Sequence, residues 1–148
     1  MGTVKRILET KGNQCWTINT EATVFDALEI LAEKQIGAVL VVDENQKLVG
    51  IFTERDYARK LILKGHFSKE SKVKEYMSSN LKVVSLETSI MECMEIMTEN
   101  RFRHLPVFRD GKLCGIISIG DIVNKIIQSQ KTTIDDLQNY ISGSGYGY

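Results

Sequence analysis

The stretch Lys47-Leu48-Val49-Gly50-Ile51-Phe52-Thr53-Glu54-Arg55-Asp56 decides the fold, because it occurs twice. Its second copy is Lys112-Leu113-Cys114-Gly115-Ile116-Ile117-Ser118-Ile119-Gly120-Asp121, with the same order of apolar strand, hydroxyl residue and aspartate three positions on. The helix ahead of each copy repeats as well. Glu29-Ile30 and Glu33 match Glu95-Ile96 and Glu99, spaced one residue further apart than the glycine-to-aspartate segments. One residue has therefore been lost in the turn between. Two related units in 148 residues read as one duplicated, co-folded module.

Upstream of the first copy, Ala38-Val39-Leu40-Val41-Val42 is a short apolar run rich in β-branched residues, as expected of a strand covered on both faces. Asp43-Glu44-Asn45-Gln46 turns the chain into the second run. In the second copy Leu105 to Phe108 and Leu113 to Ser118 are joined by Asp110-Gly111, a strong hairpin signal because both positions tolerate positive φ. That tight turn also accounts for the missing residue. Ahead of each hairpin lies an amphipathic helix. Val24, Ala27, Leu28 and Leu31 recur at i, i+3, i+4 and i+7 behind a Thr23 cap, and Ile90, Cys93, Met94 and Met97 do so behind Ser89. The methionines read as core filler.

Trp16-Thr17-Ile18 and Lys82-Val83-Val84 read as brief leading strands, and the last helices start at Thr53 and Ser118. Each unit is thus strand, helix, strand, strand, helix, and the fold class is α/β with small sheets covered by helices. Pro106 lacks an N–H for a central ladder and suggests an edge or an entry point. Val4, Ile7 and Leu8 form one face of a short N-terminal helix that Gly12-Asn13 ends, while Val73, Tyr76 and Met77 suggest another after a polar connector, Gly65 to Lys72. The expected domains are 4–65 with the N-terminal arm, 73–130, and 131–148 as a short amphipathic helix bearing Ile134, Leu137 and Ile141 before a mobile tail.

Nineteen basic and nineteen acidic side chains cancel, so no global field draws in nucleic acid or an anionic membrane. An aromatic-basic stripe for single-stranded RNA is missing as well. No apolar run reaches the roughly 18 residues of a membrane span, and the N-terminus lacks the apolar core of a signal peptide. Cys15, Cys93 and Cys114 have no close spacing, and with two histidines they make no four-ligand metal set. A cytoplasmic protein is expected.

Thr53-x-x-Asp56 and Ser118-x-x-Asp121 nearly match a capping box, in which hydroxyl and carboxylate satisfy the first turn of a helix. Taken alone, they favour capping. Their duplication at two helix starts favours ligand binding instead. A carboxylate there would repel phosphate, so its polar ligand would be a sugar diol, and phosphate would fall to Arg55, Lys60, Arg103 or His104. Adenine would need apolar walls and backbone amides, available around Ile18, Ala38, Val83 and Pro106. No constellation for covalent catalysis is present.

With Gly50-Ile51-Phe52-Thr53-Glu54-Arg55-Asp56 and Gly115-Ile116-Ile117-Ser118-Ile119-Gly120-Asp121 in hand, the chain resembles the CBS-domain family, specifically stand-alone tandem pairs known as Bateman modules. Arg101-Phe102-Arg103-His104-Leu105-Pro106-Val107 adds to the resemblance, which runs from about Val4 to Ile141. It implies two clefts between the units for AMP, ADP, ATP, S-adenosylmethionine or NAD, with AMP leading. It also implies ribose on Asp56 and Asp121 beside Thr53 and Ser118, a homodimer, and a regulatory role. Ile119-Gly120 replaces the Glu54-Arg55 pair in the second copy, so that site is expected to lack a local cation.

Overall fold

The computed structural model of the chain describes residues 2–143. In chain order the elements are α1 (Val4–Lys11), β1 (Thr17–Asn19), α2 (Val24–Lys34), β2 (Ala38–Val42), β3 (Leu48–Thr53), α3 (Glu54–Asp56), α4 (Val73–Tyr76), β4 (Val84–Ser85), α5 (Ile90–Asn100), β5 (His104–Arg109), β6 (Lys112–Ser118) and α6 (Ile119–Gly143). After α3 the helix widens to a π turn over Tyr57–Leu61 and tightens to a 3-10 turn over Ile62–Lys64. Two three-stranded sheets result, ordered β1-β2-β3 and β4-β5-β6. The α/β class expected from the pattern is the one observed.

The chain divides into two compact units, Gln14–Val83 with Lys112–Cys114, and the remainder. In the first, β1 runs parallel to β2 with α2 as the crossover, and β2 and β3 form the antiparallel hairpin. All five residues of β2 are buried, as the unbroken apolar run predicts. Its core gathers Val24, Ala27, Leu31, Val39, Val41, Phe52, Leu61 and Val73. Thr23 caps α2 reciprocally with Asp26, satisfying two otherwise orphaned N–H groups. In the other unit β4 runs parallel to β5, and Ile90, Cys93, Met97, Leu105, Val107, Ile117 and Ile122 are buried. Asp110 (φ 50°) and Gly111 (φ 76°) make the positive-φ turn between β5 and β6.

Each sheet is covered by a helix that precedes the other repeat in sequence. In sequence α1 heads the first repeat, yet the Val4 and Lys5 amides donate to Thr88 and Leu86 carbonyls at 2.9 and 3.0 Å, and Thr3 bridges to Ser89. Conversely, the Val73 amide at the start of α4 donates to Ala22 at 2.8 Å, and Lys72 bridges to Thr23. Glu21 fastens that segment with both carboxylate oxygens, each 2.8 Å from an ammonium, Lys72 and Lys74; these bonds pull its pKa down to about 2.

Three expectations change. Pro106 lies buried in β5, the middle strand of its sheet rather than an edge. The short β4 engages only Val107 and Phe108, so that ladder begins one residue beyond the proline. Val83 falls outside β4 and is half exposed. Finally, no break occurs near Gln130, because no proline or glycine interrupts the sequence between Gly120 and Gly143, and α6 runs on as one helix. Of the tail expected at 143–148, Gly143 closes α6 and 144–148 lie outside the described residues.

The covering helices explain the repeated glycine. A Cβ on Gly50 would collide with Met77, whose Cγ would be 2.9 Å away, and one on Gly115 would meet Leu8 Cδ1 at 3.0 Å. Gly50→Ala should therefore lower stability by about 1–3 kcal/mol through overpacking, with Gly115→Ala costing less. Urea midpoints of the two variants against the parent check the size and the order.

Candidate functional site

β3 ends at Thr53, whose side chain becomes the N-cap of α3. Thr53 Oγ1 accepts the Asp56 amide at 3.1 Å, while Asp56 Oδ2 accepts the Thr53 amide at 3.0 Å and its hydroxyl at 3.2 Å. The carboxylate is buried, and its other oxygen is also engaged. Oδ1 accepts the Ser78 hydroxyl at 3.1 Å and stands 3.1 Å from the Lys60 ammonium. Lys60 further donates to the Tyr76 carbonyl and to Ser78 Oγ. The sequence offered Lys60 as a phosphate cation; in the structure it is turned back onto Asp56, one helical turn earlier. Removing one member of such a partly buried charge pair strands the other, which costs about 3–5 kcal/mol when burial is complete.

The second helix start repeats the cap. Asp121 Oδ2 accepts the Ser118 amide at 2.8 Å, and Ser118 Oγ accepts the Asp121 amide at 3.1 Å. The local cation that Ile119-Gly120 could not supply arrives from α1. Lys11 Nζ lies 2.7 Å from Asp121 Oδ2 and donates to the Ile116 carbonyl at 3.0 Å. Lys125, four residues after Asp121 as Lys60 is after Asp56, instead lines a cavity of about 140 Å³ with Ile7, Thr10, Lys11, Asp121, Asn124 and Gln128. Lys11 and Ser78 are the residues that sequence reasoning missed. No local motif marks either one.

The other expected residues divide between the units. Ile18 in β1 and Ala38 in β2 share a unit with Thr53, and Ala38 pairs directly with Thr53 across the hairpin. Arg55 lies on α3 and Val83 at the end of the same unit. Arg103, His104 and Pro106 lie with Ser118 and Asp121. The Arg103 carbonyl accepts the Ile119 amide at 2.9 Å, the counterpart of the 3.2 Å bond from the Glu54 amide to Gly37. These two bonds tie each final helix to the start of the strand beside it.

Burial pushes the His104 imidazole down to about 4, with the Lys11 ammonium and the Arg103 guanidinium adding to the shift and Asp121 opposing it. It is therefore neutral at physiological pH. His66 is exposed, its Nδ1 2.8 Å from the Tyr76 hydroxyl. Burial raises the Cys93 thiol to about 11, which leaves it inert. Among the described residues no group of histidine, cysteine, aspartate and glutamate could hold a metal ion. No described helix is long and apolar enough to cross a membrane.

The model of the CBS domain matches residues 4–63 and 73–128. The chain is similar to CBSX3, a mitochondrial CBS domain-containing protein of Arabidopsis thaliana, at 38% identity over 97% of this chain and 73% of the relative. Its structure is similar to that of a CBS-domain protein from Burkholderia ambifaria, at 46% identity, 86% of this chain, 96% of that one and a TM-score of 0.82. A hexameric CBS-CP12 protein from bloom-forming cyanobacteria is 26% identical, with 99% of this chain and 86% of that one covered and a TM-score of 0.75.

The histidine generates a pH dependence of definite sign. Its ordinary value is 6.5 and its folded value about 4, so between them the unfolded chain binds a proton that the folded chain refuses. Its stabilising contribution is complete above about 6.5 and shrinks as pH falls toward about 4. His104→Gln should flatten that part of the decline, measured as the difference between parent and variant urea midpoints at about pH 7 and about pH 5.

Proposed function

The chain belongs to the CBS-domain family, and we propose that its two repeats make a non-catalytic adenine-nucleotide sensor, a regulatory module with AMP as its leading ligand. The observation that carries this reading is the repeated trio of capping hydroxyl, carboxylate and ammonium, Thr53–Asp56–Lys60 and Ser118–Asp121–Lys11. A carboxylate held by hydroxyl and ammonium donors already accepts the type of bond that a ribose diol would offer. Diol hydroxyls would replace the Ser78 hydroxyl and the Lys60 ammonium at Asp56, and the Lys11 ammonium at Asp121. Each lysine released in this way becomes a cation for phosphate. Donor and acceptor types therefore fit the nucleotide.

Purine contacts are assigned to Ile18, Ala38 and Val83 in the unit of Asp56, and to Pro106 in the unit of Asp121. Neutral His104 would serve as a hydrogen-bonding group rather than a cation, which leaves Arg103 and Arg55 beside the lysines for phosphate. ADP, ATP, S-adenosylmethionine and NAD belong to the same proposal as alternative ligands. So do a cytoplasmic setting, self-association as a homodimer, and a protein partner whose affinity changes with the bound nucleotide. A sensor of this kind works only if the ligand binds two protein states unequally. The relatives' names specify CBS domains and no catalysed reaction.

A second reading, a constitutive dimerisation or adaptor module, is favoured by the closure of both capping boxes, in which hydroxyl and aspartate satisfy each other. Calorimetric titration of AMP, ADP, ATP, S-adenosylmethionine and NAD into the parent, D56N and D121N separates the two. Asparagine preserves a capping acceptor but is a poorer acceptor for a diol. The sensor reading expects each variant to lose about tenfold or more in affinity at its own site, about 1.4 kcal/mol. Equal affinity in parent and variants would favour the adaptor, and a parent that binds none of the five at millimolar concentration would remove the sensor.

A further inference from the structure

The two aspartates that open the final helices are not equally available to a ligand. An ionised carboxylate offers about four acceptor positions, two on each oxygen. At Asp56 all of them are taken. Oδ2 accepts the Thr53 amide and hydroxyl, and Oδ1 faces the Ser78 hydroxyl and the Lys60 ammonium, each at 3.1 Å. At Asp121 the Ser118 amide and the Lys11 ammonium both fall on Oδ2, and among the described residues Oδ1 accepts no hydrogen bond. The Asp56 side chain is 11% exposed and that of Asp121 21%, and Asp121 lines the cavity of about 140 Å³ between α1 and α6.

A ribose diol brings two O–H donors. At Asp56 both have to displace a donor already in place, whereas at Asp121 one displaces Lys11 and the other meets an open oxygen. Of the two donors on Asp56 Oδ1, the Lys60 ammonium has a further use, since release makes it a cation for phosphate. The Ser78 hydroxyl has no such use and only competes. It is also held in position. The Ser78 amide donates to the Ile51 carbonyl at 2.8 Å and its carbonyl accepts the Ile51 amide at 3.0 Å, a bridge onto β3 that presents the hydroxyl to Asp56. A donor fixed in this way loses little entropy in making its bond and is correspondingly hard to displace.

Taking both aspartates as ribose acceptors, the nucleotide reading on which this inference rests, we propose that the two sites fill in a fixed order, Asp121 before Asp56. Ser78 is the latch that sets the gap between them. A hydrogen bond to a charged group is worth about tenfold in affinity. The pair therefore responds to nucleotide over a range about tenfold wider than two equal sites would.

Calorimetric titration of AMP into the parent, D56N, D121N, S78A and S78T tests the order. The parent should show two phases about tenfold apart, the tighter one kept in D56N and weakened in D121N. S78A should bring the weaker phase up by about tenfold and leave the Asp121 phase unchanged, which also shows that the variant is folded. S78T retains the hydroxyl and should retain the parent's gap. Equal phases in the parent, a tighter phase weakened by D56N instead of D121N, or an S78A variant with the parent's gap would overturn the order and the latch while the nucleotide reading stands. A parent that binds no AMP at millimolar concentration would overturn both together.

Discussion

The bond from an aspartate at the third helical position back to the N–H of its own capping residue is the constraint on which both units turn. It fixes where strand gives way to helix at Thr53 and again at Ser118, and it holds a carboxylate at the positive end of a helix dipole. A carboxylate so placed needs donors. The capping amide provides part of the set at both sites, the Thr53 and Ser78 hydroxyls add to it at Asp56, and a lysine completes it each time. The capping bonds and the lysine contacts therefore meet on one carboxylate at each helix start.

The lysines arrive by different routes. Lys60 comes from the same helix, and the π widening over Tyr57–Leu61 lies where it folds back toward Asp56. Lys11 comes from α1, which covers the sheet of the other repeat. The covering helix thus does two jobs. Leu8 lies over Gly115 while Lys11, one turn further along, reaches Asp121. On the other side Met77 lies over Gly50 while Ser78, its neighbour, donates to Asp56. Glycine in each strand is what lets the cover approach closely enough for the polar residue after it to reach the carboxylate.

Exchange of the covers has an energetic consequence. A contiguous repeat contains its own sheet and helices, but the segment that shields its glycine-bearing strand lies elsewhere in the chain. Each half alone would leave that strand surface open to water. The two halves are accordingly interdependent in folding even though each has its own core, and the Lys11–Asp121 contact helps to anchor a cover.

Much of this was legible in the sequence, for identifiable reasons. Strand β2 announced itself by an unbroken apolar run, the β5–β6 turn by Asp110-Gly111, and the helix starts by Thr23, Thr53, Ser89 and Ser118, because all of these depend on residues within a few positions of one another. The duplication gave the fold and the pair of candidate aspartates. The edge alternative for Pro106 failed because strand order is set by pairing partners, which no single segment encodes, whereas the β4 ladder does begin just beyond it. The sequence by itself determined the elements, their caps and the twofold repetition, since backbone geometry and periodicity are local. Only the tertiary structure decided that α1 serves the other repeat, that Lys11 and Ser78 join the aspartates, and that His104 is held neutral, because burial and charge proximity are properties of residues brought together from distant parts of the chain.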